Sequence, residues 1–386
     1  MSQRDKVVVA GYLVRCPLGG YAWQVLHYLI GLRDAGFDPY FYEDTCFFND
    51  CFDPQSGQMH AAPDAGVAFV ENLFAQYGLA GRWAFWDAHR GRHYGMKAAD
   101  TLDLLWTARV VINLGGATRL PRRQRERKIF IDLDPGYTQL RASQGDRPLR
   151  GLLADQDLHF TFGENIGRPG SRIPTAGFEW RPTRQPIVTQ LWTSEPPAGS
   201  TAYTTIGRWD ESRRDMRFEG ETYSWRKRVE WLKFLALPER VGERFQLAMD
   251  VDKIPGDVAL LRQHGWEITD PLAQSRDAET YRRFICNSAG EFTVAKDLNI
   301  RLASGWFSDR SACYLAAGRP VLTQDTGFGQ TLPVGRGLFA IRTLDDAIAA
   351  LAAIRADPRG HQSAARAIAE KYFEATAVVG TLLASL

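Results

Sequence analysis

Residues 290–327 read GEFTVAKDLNIRLASGWFSDRSACYLAAGRPVLTQDTG, and this stretch has the order strand, loop, helix, turn, strand. Glu291–Lys296 alternates as a strand does, and Asp297–Gly305 is polar enough for a loop. Ser308 and Asp309 are N-cap residue types for a helix over Arg310–Ala317, which Gly318 closes. Pro320–Gln324 is the short apolar run of a buried parallel strand. A helix start aimed at a loop over a parallel sheet receives anions, because its free N–H groups and its dipole both favour phosphate. On this reading the N–H groups of Ser308, Asp309, Arg310 and Ser311 form the anion site, and the Arg310 guanidinium adds a charged fork. Glu291 and Lys296, on the preceding strand, either pair to hold the loop or touch a ligand.

The same pattern recurs upstream. Lys6–Leu13 is a buried strand, Cys16–Gly20 a glycine-containing loop, Tyr21–Ala35 a helix by its apolar spacing, and Pro39–Glu43 a second strand. That is how a doubly wound parallel sheet begins. The loop is not GxGxxG, so the dinucleotide fingerprint fails and a Rossmann dehydrogenase is disfavoured. Gly19 and Gly20 serve either a tight strand-to-helix turn or a ligand. Glu43 and Asp44, at a strand's carboxyl end, bind a hydroxyl or cap the next element. Asn49–Met59 reads as an irregular loop and Val67–Tyr77 as an amphipathic helix. Further buried strands are expected at Val110–Gly116, Lys128–Asp134 and His159–Asn165.

Asp132 and Asp134 lie two apart on such a strand and share one face. At the carboxyl edge of a parallel sheet they look into the ligand crevice, where a carboxylate acts as a general base or holds hydroxyls. The alternative for Asp134 is to open the turn before Pro135. His159 is a second candidate base, against the reading of a hydrogen-bonded sheet histidine. His89 and His93 are four apart, but no carboxylate completes a metal motif and Gly91 and Gly95 interrupt a helix, so no metal site is expected.

Six prolines fall within 166–200 and mark an interdomain connection, with the boundary near Ser194–Ser200. Beyond it the pattern restarts. Strands are expected at Tyr203–Arg208, Phe245–Asp250 and Trp266–Asp270, with helices at Tyr223–Leu235, Gly256–His264 and Ala278–Cys286. Leu344–Ile354, His361–Tyr372 and Val378–Leu386 end the chain as helices. At 386 residues with 45% hydrophobic content the chain can bury two cores. The fold expected is α/β: two doubly wound Rossmann-like domains facing a cleft. Residues 1–195 form the first domain, residues 196–370 the second, and residues 371–386 a final helix.

The net charge of +2 does not point to nucleic acid or an acidic membrane as partner. Arg122–Lys128 is a local basic run that reads as a solvated face. Five cysteines (Cys16, Cys46, Cys51, Cys286, Cys313) follow no zinc or disulfide spacing and suit reduced thiols in a cytoplasmic protein. No apolar run reaches the roughly 18 residues of a membrane span, and Met1–Lys6 opens no signal peptide.

These residues resemble the two-Rossmann-domain (GT-B) glycosyltransferases. The run Tyr314–Val321, YLAAGRPV, is similar to the segment EAMACGKPV that follows that family's donor-binding helix. Gly207-Arg208 and Lys227 resemble the arginine and lysine pair that grips the donor diphosphate. The wider run Gly305–Val321 also resembles a bacterial group described as glycosyltransferases. The resemblance implies transfer of a sugar from a nucleotide-diphosphate donor to an acceptor that is a small molecule, lipid, glycan or protein. It implies no separate cofactor and no metal. The chain departs from the family where a glutamate binds the donor ribose, because Cys313 stands there. Either Asp309 or Asp325 then substitutes, or the donor is held differently. The first-loop histidine base of some members is also absent, which turns attention to Asp132, Asp134 and His159. Two other readings fit the same architecture, a nucleotide-sugar 2-epimerase and a noncatalytic nucleotide- or sugar-binding protein.

Overall fold

The computed structural model describes residues 4–45, 50–60, 62–118, 120, 127–193 and 202–386. Cys46, the start of the expected 49–59 loop, most of the basic run at 122–128 and the expected boundary at 194–200 lie outside the described residues.

Two separate parallel sheets organise the chain. The first has eight strands in the order Trp180–Pro182, Leu158–Thr161, Arg127–Asp132, Val110–Leu114, Lys6–Ala10, Asp38–Asp44, Trp83–Asp87 and Arg92–Gly95. All neighbours run parallel except the last pair, a hairpin. The second has six strands, all parallel, in the order Trp266–Thr269, Phe245–Met249, Tyr203–Gly207, Gly290–Thr293, Val321–Gln324 and Leu338–Ile341. The central strands are apolar on both faces, as a sheet covered by helices on both sides requires. Val7, Val8, Val9, Val110, Val111 and Ile112 are all fully buried.

Most elements fall within two or three residues of their expected positions. Three do not. Cys51–Asp53 and Gln58–His60 pair as a small hairpin where an irregular loop was expected. The polar loop before the key helix contains a helical turn, Asp297–Arg301. The helix expected over Tyr223–Leu235 starts only at Lys227, because Glu221–Tyr223 pairs with Met216–Phe218.

The two halves are joined through an apolar seam. The first helix, Gly19–Asp34, packs on the Ala278–Cys286 helix of the second half and on the final helix, Ala375–Ala384. Trp23 donates to the Ala278 carbonyl at 2.8 Å, and Trp192 and Tyr281 are buried beside it. The C-terminal segment therefore returns to the first half: the Ile187 N–H donates to the Phe373 carbonyl at 2.7 Å and the Ala375 N–H donates to the Ile187 carbonyl at 2.9 Å, on either side of Glu374. Fully burying each such large apolar side chain is worth about 1.5–3 kcal/mol, so this seam clamps one side of the interdomain groove. The opposite side is lined by charge.

Candidate functional site

In an open α/β sheet a ligand binds outside the carboxyl ends of the strands, where the strand order reverses. In the second sheet that point lies between Tyr203–Gly207 and Gly290–Thr293. The loops leaving these two strands carry Arg208 and Lys296. The short Lys227–Trp231 helix sits alongside, tied by the Arg228 N–H to the Trp209 carbonyl at 3.0 Å.

The side chains converge as follows. The Lys296 ammonium lies 3.3 Å from the centre of the Trp225 ring and 3.9 Å from both Asp134 and Glu211. Arg214 donates to Asp134 at 2.7 Å, and its guanidinium lies between the Tyr137 and Trp225 rings, 4.2 and 4.3 Å from their centres. Arg208 is 63% exposed, reaching Glu211 only at 3.8 Å. Lys227 has no hydrogen-bond or ion-pair partner among the described residues. Four cations, Arg208, Arg214, Lys227 and Lys296, thus face two carboxylates, Asp134 and Glu211.

Burial, then the nearby charges of Arg310 and Lys296, pushes Lys227 down to about 7. Burial also brings Lys296 down to about 8, against the pull of Asp134 and Glu211. Burial is the first cause in both cases, and an incoming anion would favour the charged form of both lysines.

The expected site residues divide accordingly. Gly207, Arg208, Lys227 and Asp134 meet at the groove. Arg310 does not offer a fork to a ligand. Its guanidinium is consumed inside the second half, by Glu291 at 2.5 Å, the Ile206 carbonyl at 2.6 Å and Thr293 at 3.0 Å. Burial works against its charge, but Glu291 outweighs that and holds Arg310 firmly protonated. Of the two alternatives for Glu291, the ion pair is the one found. Arg310 instead braces the end of the Tyr203–Gly207 strand from which Arg208 projects.

The helix start at Ser308–Ser311 is likewise occupied. Asp309 accepts from the Arg310 N–H at 2.8 Å and places its own negative charge where a phosphate was expected, with Ser308 contacting it at 3.4 Å. Ser311 is buried with its hydroxyl unpartnered. The helix is present, and the Asp309 carboxylate occupies the Arg310 N–H at its start.

Asp132 is a structural carboxylate. It is fully buried and accepts from Thr138, Gln139 and Thr161 at 2.7–2.8 Å, so its oxygens hold the Tyr137–Ser143 helix to the strand end. Burial raises it to about 6. His159 is also outside the groove: its Nε2 donates to the Leu153 carbonyl at 2.8 Å among Phe130, Phe178 and Trp180. Asp325 is bound by Arg342 at 2.7 Å and by the Gly327 N–H at 2.8 Å. Gly19 and Gly20 form the start of the first helix; a Cβ on Gly19 would come within 2.5 Å of the Asp277 carbonyl, so this glycine serves the contact between halves.

Cys313, where a ribose-binding glutamate was looked for, is 3% exposed and lies 3.8 Å from His27 Nε2 in the apolar seam. The motif glycines have a different cause. Gly305 and Gly327 have positive φ, and a Cβ on either would strike Asn165 at 2.7–2.9 Å. The Asn165 amide donates to the Ala303 and Gly327 carbonyls, so the pair lets a first-half loop reach the second half.

Arg214, Trp225 and Glu211 were not anticipated. The signal lies in the acid- and base-rich run WDESRRD directly after Gly207-Arg208, and in Trp225 two residues before Lys227. Among the described residues no group of three or more His, Cys, Asp or Glu is placed to hold a metal, and His93 stacks on Trp86.

No family model matches the chain, and no curated protein does. Solved structures do. HepE from Anabaena in complex with UDP-glucose is similar at 11% identity and a TM-score of 0.58, over 99% of this chain and 100% of that one. An alpha-glucosyltransferase in complex with UDP and DNA is similar at 10% identity and a TM-score of 0.60, over 99% of both chains. A candidate UDP-N-acetylglucosamine 2-epimerase from Listeria monocytogenes follows at 14% identity and a TM-score of 0.50, over 99% of this chain and 95% of that one. The chain has the GT-B fold. Its two facing doubly wound halves are the architecture expected from the sequence. No described helix is long and apolar enough to cross a membrane.

Proposed function

We propose that the protein is a glycosyltransferase that moves a sugar from a nucleotide-diphosphate sugar to an acceptor. The observation that carries this is the uncompensated cation group at the switch point, with Lys227 unpartnered and driven down to about 7. A sugar–phosphate bond breaks by leaving its electron pair on the diphosphate, so negative charge grows there in the transition state. Preorganised cations in a site that excludes water stabilise that growing charge most. Arg208, Lys227 and Lys296 fill that role without a metal or further cofactor.

Asp134 is the acid from the first half that reaches this point, and it is assigned the proton of the acceptor hydroxyl. The acceptor oxygen bonds to the sugar carbon, the carbon–phosphate-oxygen bond breaks, and the diphosphate departs. Uridine diphosphate is the first nucleotide to try, because one of the similar structures holds UDP-glucose and another UDP.

The test is release of nucleotide diphosphate from UDP-, GDP-, ADP- and dTDP-sugars, with sugar analysis of the products. Diphosphate release that rises with an acceptor and falls in Asp134→Asn is the expected result. A sugar epimerised at C2 without acceptor would establish the epimerase reading instead. Binding without turnover of any donor would leave a noncatalytic nucleotide-binding protein. Neither His159 nor His264, which pairs with Glu239 at 3.0 Å, is available to the groove for epimerisation.

A further inference from the structure

The first half already supplies an anion to the cation group of the second. We propose that Arg214 is a positioning residue for Asp134, and that their pair is an interdomain clasp which a diphosphate displaces, releasing the Asp134 carboxylate for the acceptor. The inference rests on the proposed transfer reaction.

Four observations support the clasp. Asp134 belongs to the first half and Arg214 to the second, and they meet at 2.7 Å. The Arg214 guanidinium lies between rings from both halves, Tyr137 at 4.2 Å and Trp225 at 4.3 Å. The second Asp134 oxygen faces Lys296 at 3.9 Å, so one carboxylate spans two cations of the group. Asp134 is 38% exposed and Arg214 33% exposed, so water and ligands reach the pair. Asp132 differs in each respect: it is sealed and fully hydrogen-bonded within one half.

A carboxylate carries one negative charge and a diphosphate carries two or more. Both seek the same donors, and the more highly charged ligand takes Arg214 and Lys296. Asp134 then loses its strongest partner and gains a free lone pair directed into the groove. Proton acceptance is therefore coupled to donor occupancy, and the donor binds before the acceptor is activated. A diphosphate that must displace an internal carboxylate binds more weakly than the bare cation group would allow.

The test is isothermal titration of inorganic pyrophosphate, and separately of UDP, into the full chain and into Asp134→Asn, with Asp134→Ala as a second variant. Loss of one charge-assisted bond corresponds to roughly tenfold in affinity. The clasp predicts that both ligands bind about tenfold tighter to both variants, while acceptor-dependent turnover falls. A merely structural Asp134 would give weaker or unchanged binding. Equal affinity in wild type and variants overturns the clasp and leaves the transfer reading standing. No binding of either ligand to folded wild type or to the variants overturns both.

Discussion

Lys227→Met should stabilise the free protein and cripple its binding of a diphosphate. The ammonium is close to Arg310 and Lys296, has no ion-pair partner among the described residues, and is pushed down from 10.5 to about 7. Each pKa unit is worth about 1.36 kcal/mol between the two states. A depressed lysine opposes folding most strongly below its folded value, and the penalty fades as pH rises towards the unfolded one. Near neutral pH the full shift corresponds to about 4 kcal/mol. Discounting for the partial exposure of Lys227 leaves roughly 2 kcal/mol. Methionine keeps most of the apolar stem and removes the charge.

Urea denaturation at about pH 7 should therefore show the variant more stable by roughly 2 kcal/mol, and by under 1 kcal/mol near pH 9.5. The same charge should matter oppositely for ligand. UDP binding should weaken by about 1–3 kcal/mol, the worth of a charged hydrogen bond. Binding to wild type near pH 8 should take up protons, as titration in buffers of different ionisation enthalpy will register, and the variant should take up fewer. A variant less stable at both pH values, with unaltered UDP affinity, would refute the placement of Lys227 as an unpaired cation of the site.

Two arginines expected to act together should separate. Arg208→Ala removes an exposed side chain and should weaken UDP by about 1–3 kcal/mol, with urea stability unchanged. Arg310→Ala strands buried Glu291 and should cost about 3–5 kcal/mol of stability, measured in the same denaturation. Cys313→Glu, which restores the residue type looked for there, should destabilise by at least about 2 kcal/mol, because it places a carboxylate in the apolar seam beside His27. Improved UDP affinity in that variant would overturn the assignment of Cys313 to the seam.

The sequence carried the fold well and the site in part, for physical reasons. Buried parallel strands such as Lys6–Ala10 and Val110–Leu114 announce themselves as short apolar runs between turn residues. Gly207-Arg208 was legible because it follows such a strand. Asp132 and Asp134 could not be told apart by spacing: only the fold decides which carboxylate meets Thr138, Gln139 and Thr161 and which meets Arg214 across the groove. Arg310 was misjudged for a related reason. A helix start with an arginine suits an anion, but here the acids Asp309 and Glu291 come from the chain itself. The Tyr223–Leu235 region read as one helix because its apolar spacing masks the Met216–Tyr223 hairpin that delivers Trp225. Glycines Gly305 and Gly327 read as turn residues, yet their necessity lies in the approach of Asn165 from another domain.

The most direct test of the central claim is calorimetric titration of UDP, GDP, ADP and dTDP against the purified chain, repeated with Lys227→Met and Arg208→Ala. The account predicts saturable binding of at least one diphosphate, loss of affinity in both variants and proton uptake in the wild type. A folded wild type that binds none of the four, or that binds one with an affinity indifferent to both substitutions, would contradict it.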